Sequence, residues 1–152
     1  MKLLLALGLV ALATASAYDP RNHHNGHELE VSLREDTNTI FVIMWYSSKA
    51  EEEVTTYNSR NKTAISSKLS GKDHVSWSMI DMSIDGHADP DNTDEDYSEL
   101  FNTINGKSWD DEKEYIEKEG PIVNVIRKSK GVRISGKGIP DEVSDQVDEL
   151  TA

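Results

Sequence analysis

The run Thr39-Ile40-Phe41-Val42-Ile43-Met44-Trp45-Tyr46 consists of apolar, β-branched and aromatic side chains without a single charge. Its length is that of one strand, and a continuous apolar run is typical of a strand that is covered on both faces. Such a strand lies inside a sheet with helices on either side. The run therefore predicts the central strand of an α/β domain.

A helix and a second strand are predicted directly after this run. Ser48-Lys49-Ala50-Glu51 has the spacing of a capping box, which places the start of the helix there. The polar residues 59–63 favour a kink or break in this helix, whose apolar stripe is Val54, Tyr57, Ile65 and Leu69. Residues 74–84 form the next predicted strand, with a change of phase that indicates a bulge or burial on both faces. A strand, a helix and a strand in this order predict a crossover with parallel pairing.

The remaining segments complete the element order. Leu29, Val31 and Leu33 alternate with polar residues, which predicts a first, half-exposed strand. Three elements follow the acidic loop at residues 85–96: a short helix over 97–104, a helix over 109–119 that Ser108 caps, and a hairpin of strands 122–126 and 132–134. A last helix is predicted to begin at Pro140, with the apolar stripe Val143, Val147 and Leu150.

The N-terminus has the pattern of a secretory signal peptide. Lys2 supplies a positive charge, an apolar stretch follows, and Ala15-Ser16-Ala17 is a cleavage pattern of small residues. We expect residues 1–17 to be the signal peptide, residues 18–28 a flexible polar arm, and residues 29–152 one domain. The protein is then secreted or resides in the endomembrane lumen. An uncleaved membrane anchor is the alternative.

Composition excludes several classes of function. The 152-residue chain has 28 acidic and 16 basic residues, a net charge of −12 and no cysteine. An acidic surface repels nucleic-acid phosphates, so no nucleic acid is expected as a partner. Without cysteine there is no thiol catalysis, no disulfide and no thiolate metal site.

The order of these elements resembles that of the thioredoxin family. The strand Ile40-Phe41-Val42-Ile43-Met44-Trp45 is similar to the family's second strand, and Gly120-Pro121-Ile122-Val123 is similar to its cis-proline segment. Gly131 falls near the glycine of the family's hairpin turn, and the resemblance covers residues 29–150. It implies a single thioredoxin-like α/β domain with a central mixed sheet flanked by helices. It also implies a cis bond between Gly120 and Pro121.

The resemblance also implies that redox chemistry is lost. The family's cysteine pair falls on Lys49 and Glu52, and Ile43 stands where thioredoxins keep a buried aspartate. The glutamates at 51–53 offset the positive helix end that would favour a thiolate. Ser47 and Ser48 have no histidine nearby in sequence to act as a base, and the adjacent carboxylates oppose a lowered pKa for Lys49. We therefore expect no enzyme activity and no cofactor.

In the family, the surface beside the lost cysteines is where extended polypeptide docks. The resemblance therefore suggests a non-catalytic module of the secretory pathway that binds a protein partner through this surface. The candidate partner-binding residues are Trp45, Tyr46, Ser47, Ser48, Lys49, Glu52 and Pro121. The alternative for Trp45 is a purely structural role in the core, with only Tyr46 in contact with solvent. The alternative function is a structural accessory subunit of a larger assembly, associated with a membrane only if the N-terminal segment is retained.

Two segments have metal-ligand residue types but lack the pattern of a known site. His23, His24 and His27 lie close together without a rigid element to present them, so no metal site is predicted there. The loop at 85–96 is rich in aspartate, but Asp94 and Leu100 stand where an EF-hand has glycine and glutamate. A solvated loop is the default, with weak calcium association as the alternative.

Asn61-Lys62-Thr63 is the glycosylation sequon of the chain, which makes Asn61 the candidate attachment site if the chain is secreted.

Overall fold

The computed structural model describes residues 25–85 and 97–152. Four strands and six helices follow one another in this part of the chain. In order they are α1 (Gly26–Glu35), β1 (Ile40–Tyr46), α2 (Glu52–Leu69), β2 (Val75–Asp81), the single turn α3 (Met82–Asp85), α4 (Tyr97–Asn105), α5 (Trp109–Glu119), β3 (Ile122–Arg127), β4 (Lys130–Ser135) and α6 (Ile139–Thr151).

The four strands form one mixed sheet in the order β2-β1-β3-β4. β1 pairs in parallel with β2, with Met44 opposite Met79, and antiparallel with β3, with Met44 opposite Val123. β3 and β4 form the antiparallel hairpin. The predictions of a central strand after residue 39, a parallel crossover and a C-terminal hairpin are therefore confirmed.

Helices cover both faces of the sheet and bury a core on each side. On one face, α2 and α6 contribute Ile65, Leu69, Val143 and Val147 to the core over the even-numbered residues of β1. On the other face, α1, α4 and α5 cover the odd-numbered residues of β1. There the ring of Phe101 makes edge-to-face contacts with the rings of Trp45 and Trp109, with ring centroids 5.2 and 5.7 Å apart. This single domain has the predicted α/β architecture, a central mixed sheet flanked by helices on both faces.

The first predicted strand is wrong, because residues Gly26–Glu35 form a helix. Asn25 caps it, with its Oδ1 accepting a 2.8 Å hydrogen bond from the backbone N–H of Glu28. Leu29 is fully buried and Leu33 packs against the same core. Their spacing of four fits one helix face as well as one strand face, which is why the alternation misled. The helix also begins inside the predicted arm at 18–28; residues 1–24, with the predicted signal peptide, lie outside the described part.

Helix α2 begins later than predicted and continues without a break. It starts at Glu52, and its N-cap residue Glu51 makes no side-chain capping hydrogen bond, so the capping box at Ser48 is wrong. The helix continues through the polar middle, where Asn58 and Asn61 occupy its buried face at 5% and 3% exposure. The helix ends at Leu69, before Gly71 with φ of 80°.

Strand β2 ends earlier than predicted. It pairs with β1 in continuous register from Val75 to Asp81 and has no bulge. The chain then turns into α3, so Ile84 does not extend the sheet and is 70% exposed. The change of phase has the second predicted cause, burial on both faces, since Trp77 lies in one core and Ile80 in the other.

The bond between Gly120 and Pro121 is trans, which corrects the predicted cis bond. Gly120 redirects the chain from α5 into β3 with a φ of 119°. It also accommodates Tyr57, since a Cβ at Gly120 would lie 2.9 Å from the Tyr57 ring. The chain departs from the family pattern at this bond, while the strand and hairpin that follow are in the expected order.

Candidate functional site

The candidate site lies where β1 and β2 end and α2 begins. A connection of five residues, 47–51, joins β1 to α2 at this end of the sheet. Lys49 and Glu52 match the two cysteine positions of thioredoxins in the sequence resemblance. Lys49 lies in this connection, and Glu52 is the first residue of α2.

A buried carboxylate at the end of β2 holds one side of this connection. Asp81 is 3% exposed. Its Oδ1 accepts hydrogen bonds from the backbone N–H of Ser48 at 3.1 Å, the backbone N–H of Ser83 at 3.0 Å and the Ser83 hydroxyl at 2.6 Å. The hydroxyls of Ser48 and Ser83 are 2.9 Å apart and hydrogen-bonded. Asp81 therefore ties the 47–51 connection to the turn α3.

The environment keeps Asp81 ionised. Burial raises the pKa of this carboxyl, but the hydrogen bonds from Ser48 and Ser83 together lower the pKa by more than burial raises it. The pKa of Asp81 therefore lies below its ordinary value. The ionised carboxylate accepts hydrogen bonds from the backbone N–H groups of Ser48 and Ser83, and it thereby fixes the backbone of the 47–51 connection against α3.

The other side of the connection is held by α5. The hydroxyl of Ser47 donates to Oε1 of Glu117 at 3.2 Å and accepts from the backbone N–H of Lys49 at 3.2 Å. The backbone N–H of Glu51 donates to the carbonyl of Glu117 at 3.4 Å. The connection is thus fixed between two elements that are distant in sequence.

The structure separates the seven candidate residues into two groups. Trp45 and Ser47 are fully buried, and Pro121 is also buried, so their side chains lie beneath the surface. Trp45 therefore belongs to the core, which is the alternative that the sequence left open for this residue. Tyr46 is half-buried, and Ser48, Lys49 and Glu52 are exposed. These four residues remain candidates for contact with a partner.

Sequence reasoning missed three residues of this site. Asp81 and Glu117 supply the carboxylates that fix the connection, and Ile84 presents an exposed apolar side chain next to Ser83. A signal for the first was present in Asp81-Met82-Ser83, because aspartate and serine two residues apart favour local turns over a continuing strand. Glu117 carried no such signal, since its partner Ser47 is 70 residues away.

A groove lies beside the start of α2, between that helix, the end of α5 and the loop after β4. Its charged lining is mixed, with Arg60, Lys118 and Lys137 facing the glutamates of α2 and Glu119. The ring of Tyr57 stands in the wall, and its hydroxyl donates a 2.5 Å hydrogen bond to the carbonyl of Gly136. The groove continues the exposed surface of the 47–51 connection.

Among the described residues, neither serine hydroxyl of the connection has a histidine partner. The hydroxyls of Ser47 and Ser48 contact carboxylate or hydroxyl oxygens, and neither contacts a histidine. Across residues 25–85 and 97–152, no three His, Asp or Glu side chains form a group that could hold a metal ion. His27 lies exposed on α1, while His23, His24 and all but the first residue of the predicted acidic loop at 85–96 lie outside the described residues.

Two further observations concern the expected environment of the protein. Asn61, the candidate glycosylation residue, lies on the buried face of α2, and its Nδ2 donates to the carbonyl of Tyr57 at 3.0 Å. Its burial opposes modification of the folded chain, and glycosylation there stays a prediction. No helix within the described residues has the length and apolar character needed to cross a bilayer.

Comparisons with known proteins gave a likeness to solved structures but not to a sequence family. No family model matches the sequence, and no curated protein is significantly similar to it. The chain is similar to the crystal structure of chloroplastic thioredoxin z, with a TM-score of 0.46 and 16% sequence identity. The match covers 82% of this chain and 91% of that chain.

Proposed function

We propose that this chain is a non-catalytic binding module of the secretory pathway, which engages a protein partner through the surface at the start of α2. We define this turn surface by Tyr46, Ser48, Lys49, Glu52 and Ile84. It keeps the exposed part of the surface expected from the sequence and adds the isoleucine that the fold brings to it.

The observation that carries the proposal is the exposed Ile84 beside a rigid connection. Ile84 is 70% exposed, and the only other large apolar side chain exposed among the described residues is Val132, at 39%. Ile84 follows Ser83, whose hydroxyl is bonded to that of Ser48. An exposed apolar side chain gains free energy when a partner removes it from water.

The hydrogen bonds of the 47–51 connection support the same proposal. Asp81 and Glu117 fix the backbone from two sides before any partner is present. Binding to a preorganised segment loses less conformational entropy than binding to one that must first be ordered. Both carboxylates accept hydrogen bonds from the connection, so they support a rigid surface that a partner can recognise.

The proposal requires that the protein does not catalyse thiol–disulfide exchange. The chain has no cysteine, so it offers no thiolate to attack a disulfide. Purified protein should reduce insulin no faster than the reductant alone. A faster rate would contradict the non-catalytic function.

Site-specific crosslinking tests the binding surface. A photoreactive amino acid at Ser48 should crosslink a protein from the native secretory compartment, and the same residue at Ser59, exposed on α2, should not. The captured protein is then identified, and its affinity for purified chain is measured. Ile84→Asp should weaken this affinity by about tenfold or more, since a hot-spot side chain contributes about 2 kcal/mol.

The control is Ser59→Asp, which introduces the same charge at an exposed position of α2 outside the turn surface. Equal losses for Ile84→Asp and Ser59→Asp, or no loss for either, would overturn the turn surface as the binding site. Mass spectrometry of the native N-terminus tests the compartment. Tyr18 as the first residue supports the secretory module, and retention of residues 1–17 supports the alternative of an anchored accessory subunit.

A further inference from the structure

Strand β4 and its turn differ in charge from the rest of this acidic chain. Residues 120–140 contain five basic residues and no acidic one, in a chain with a net charge of −12. Arg127 donates to the carbonyl of Leu150, and Arg133 pairs with Glu112 at 2.6 Å. Lys128 and Lys130 are exposed, and neither forms an ion pair with any residue in 25–85 or 97–152. The turn is therefore a cationic patch with two available charges.

The same strand is an open edge of the sheet. It pairs with β3 on one side, and no described strand lies on its other side. The turn over residues 128–129 has positive φ at both positions, 52° and 59°, as in a two-residue hairpin turn. Arg127 and Lys130, which flank the turn, are then the first hydrogen-bonded pair of the ladder.

This register shows which backbone groups face the open edge. Hydrogen-bonded and non-hydrogen-bonded pairs alternate along an antiparallel ladder. Val132 and Ile134 are therefore bonded to β3, and the N–H and C=O groups of Gly131, Arg133 and Ser135 point outward. These three residues offer donors and acceptors at the spacing that an added strand requires.

An apolar cleft adjoins the edge on the face that carries α1 and α4. Its apolar lining comes from three elements, with Leu33 on α1, Ile104 on α4 and Ile126 on β3. Gly131 lines the cleft without a side chain, and a Cβ there would lie 2.8 Å from Cγ1 of Ile126. Glu30 and Arg34 place one acidic and one basic side chain at the α1 side of the cleft, so the positive charge of this region comes from the hairpin turn. A strand added to the edge would therefore have apolar space on one face.

We propose that β4 is a docking edge for an extended acidic segment of a protein partner, which adds a fifth strand to the sheet. The backbone of the segment pairs with Gly131, Arg133 and Ser135. Its acidic side chains lie near Lys128 and Lys130, and alternate apolar side chains enter the cleft, because successive side chains of a strand point to opposite faces. The hairpin turn lies at the opposite end of the sheet from the turn surface, so the two sites are separate.

The charges favour such a partner over a second copy of this chain. Pairing β4 with β4 of another copy would bring Lys128 and Lys130 of both copies into one interface. Like charges on adjacent strands are destabilising, and lysine on an edge strand is a device that prevents self-pairing. An acidic segment instead neutralises these charges.

The test is amide hydrogen exchange, measured by NMR on the full mature chain with a synthetic probe. The probe is a short peptide in which aspartate and valine alternate, and the control peptide carries lysine in place of aspartate. Addition of the probe should slow exchange at Gly131, Arg133 and Ser135, whose amides face the open edge. The amides of Val132 and Ile134 are already bonded to β3 and should change little.

Charge variants complete the test. The double variant Lys128→Glu, Lys130→Glu should bind the probe roughly tenfold more weakly, and the effect should shrink at high salt. Lys62→Glu, an exposed position on α2, is the control and should bind normally, as should Ile84→Asp. Equal binding of the lysine peptide, protection without the alternate pattern, or a dimer in which β4 is protected without peptide would each overturn the proposal.

Discussion

The indole Nε1 of Trp45 donates a 2.7 Å hydrogen bond to Oδ1 of Asn124, and both residues lie in the core. Asn124 sits in the middle of β3, within the otherwise apolar run from Ile122 to Ile126. Its Nδ2 donates in turn to Oδ1 of Asn105 at the end of α4, at 3.1 Å. One amide therefore satisfies the central tryptophan and connects the sheet to a helix.

Replacement of Asn124 by leucine should destabilise the fold. The change keeps the branched shape of the side chain but leaves the buried N–H of Trp45 without an acceptor, which costs about 1–3 kcal/mol. Chemical denaturation of the wild type and of Asn124→Leu measures the difference in unfolding free energy. In a Trp45→Phe background there is no N–H to satisfy, so Asn124→Leu should cost less by about 1 kcal/mol. An equal cost in both backgrounds would show that this hydrogen bond does not stabilise the fold.

A buried carboxylate makes stability depend on pH in the acid range. Glu112 on α5 is 6% exposed and pairs with Lys107 at 2.8 Å and with Arg133 at 2.6 Å. Burial raises the pKa of Glu112, but the hydrogen bonds and charges of its two partners lower it more, so that it lies below the ordinary 4.5. Ionised Glu112 therefore stabilises the fold above pH 4.5, and this stabilisation is lost as the pH falls through the lowered pKa.

We expect Glu112→Gln to lower the unfolding free energy by about 1–3 kcal/mol at neutral pH, less than for a fully buried pair because Lys107 is exposed. The difference from the wild type should shrink below pH 4.5, and denaturation across this range measures it. Glu114→Gln is the matched control on the same helix, since Glu114 pairs with Lys118 on the surface. A constant difference at all pH values would contradict the assignment.

Glycosylation at Asn61 should be incompatible with the fold. The glycan would be attached to Nδ2, the atom that donates to the carbonyl of Tyr57 on the buried face of α2. When the chain is expressed in a glycosylating secretory host, any glycosylated fraction should be protease-sensitive and poorly secreted. Thr63→Ala removes the sequon, keeps Asn61 and should raise the yield of folded protein if the sequon is used. A folded, secreted chain with a glycan at Asn61 would contradict this prediction.

The fold was predictable from the sequence where one local pattern had one structural solution. An uninterrupted apolar run fits only a doubly covered strand at residues 40–46, and Ser108 caps α5 through its own helix, accepting from Asp111 at 3.2 Å. Leu29 and Leu33 were ambiguous, because their spacing suits either a strand or a helix face. The cap of Asn25 settles that choice, and its signal lay within the segment predicted as an arm.

The candidate site was less predictable because its contacts are distant in sequence. Ser48 was expected to cap α2, but its backbone and hydroxyl are bonded to Asp81 and Ser83, 33 and 35 residues away. Ser47 is likewise bonded to Glu117, 70 residues away. These partners outcompete the local cap, so that the helix begins at Glu52. Ile84 reaches the same surface only because β2 ends at Asp81.

Cysteines placed at the two positions matched to the thioredoxin pair test both the alignment and the electrostatics of the site. We expect the double variant Lys49→Cys, Glu52→Cys to form an intramolecular disulfide under mild oxidation if these positions have the family geometry, although Lys49 lies in the connection and only Glu52 is helical. The variant should still be a poor reductase.

Glu51 and Glu53 remain beside the new thiols and oppose thiolate formation, and Ile43 offers no proton relay. Titration of the first thiol should give a pKa near or above that of free cysteine, about 8.5. Failure of the two cysteines to pair, with the fold intact by circular dichroism, would show that the alignment is misplaced at this connection, and a thiol pKa well below 8.5 would show that the glutamates do not govern the site.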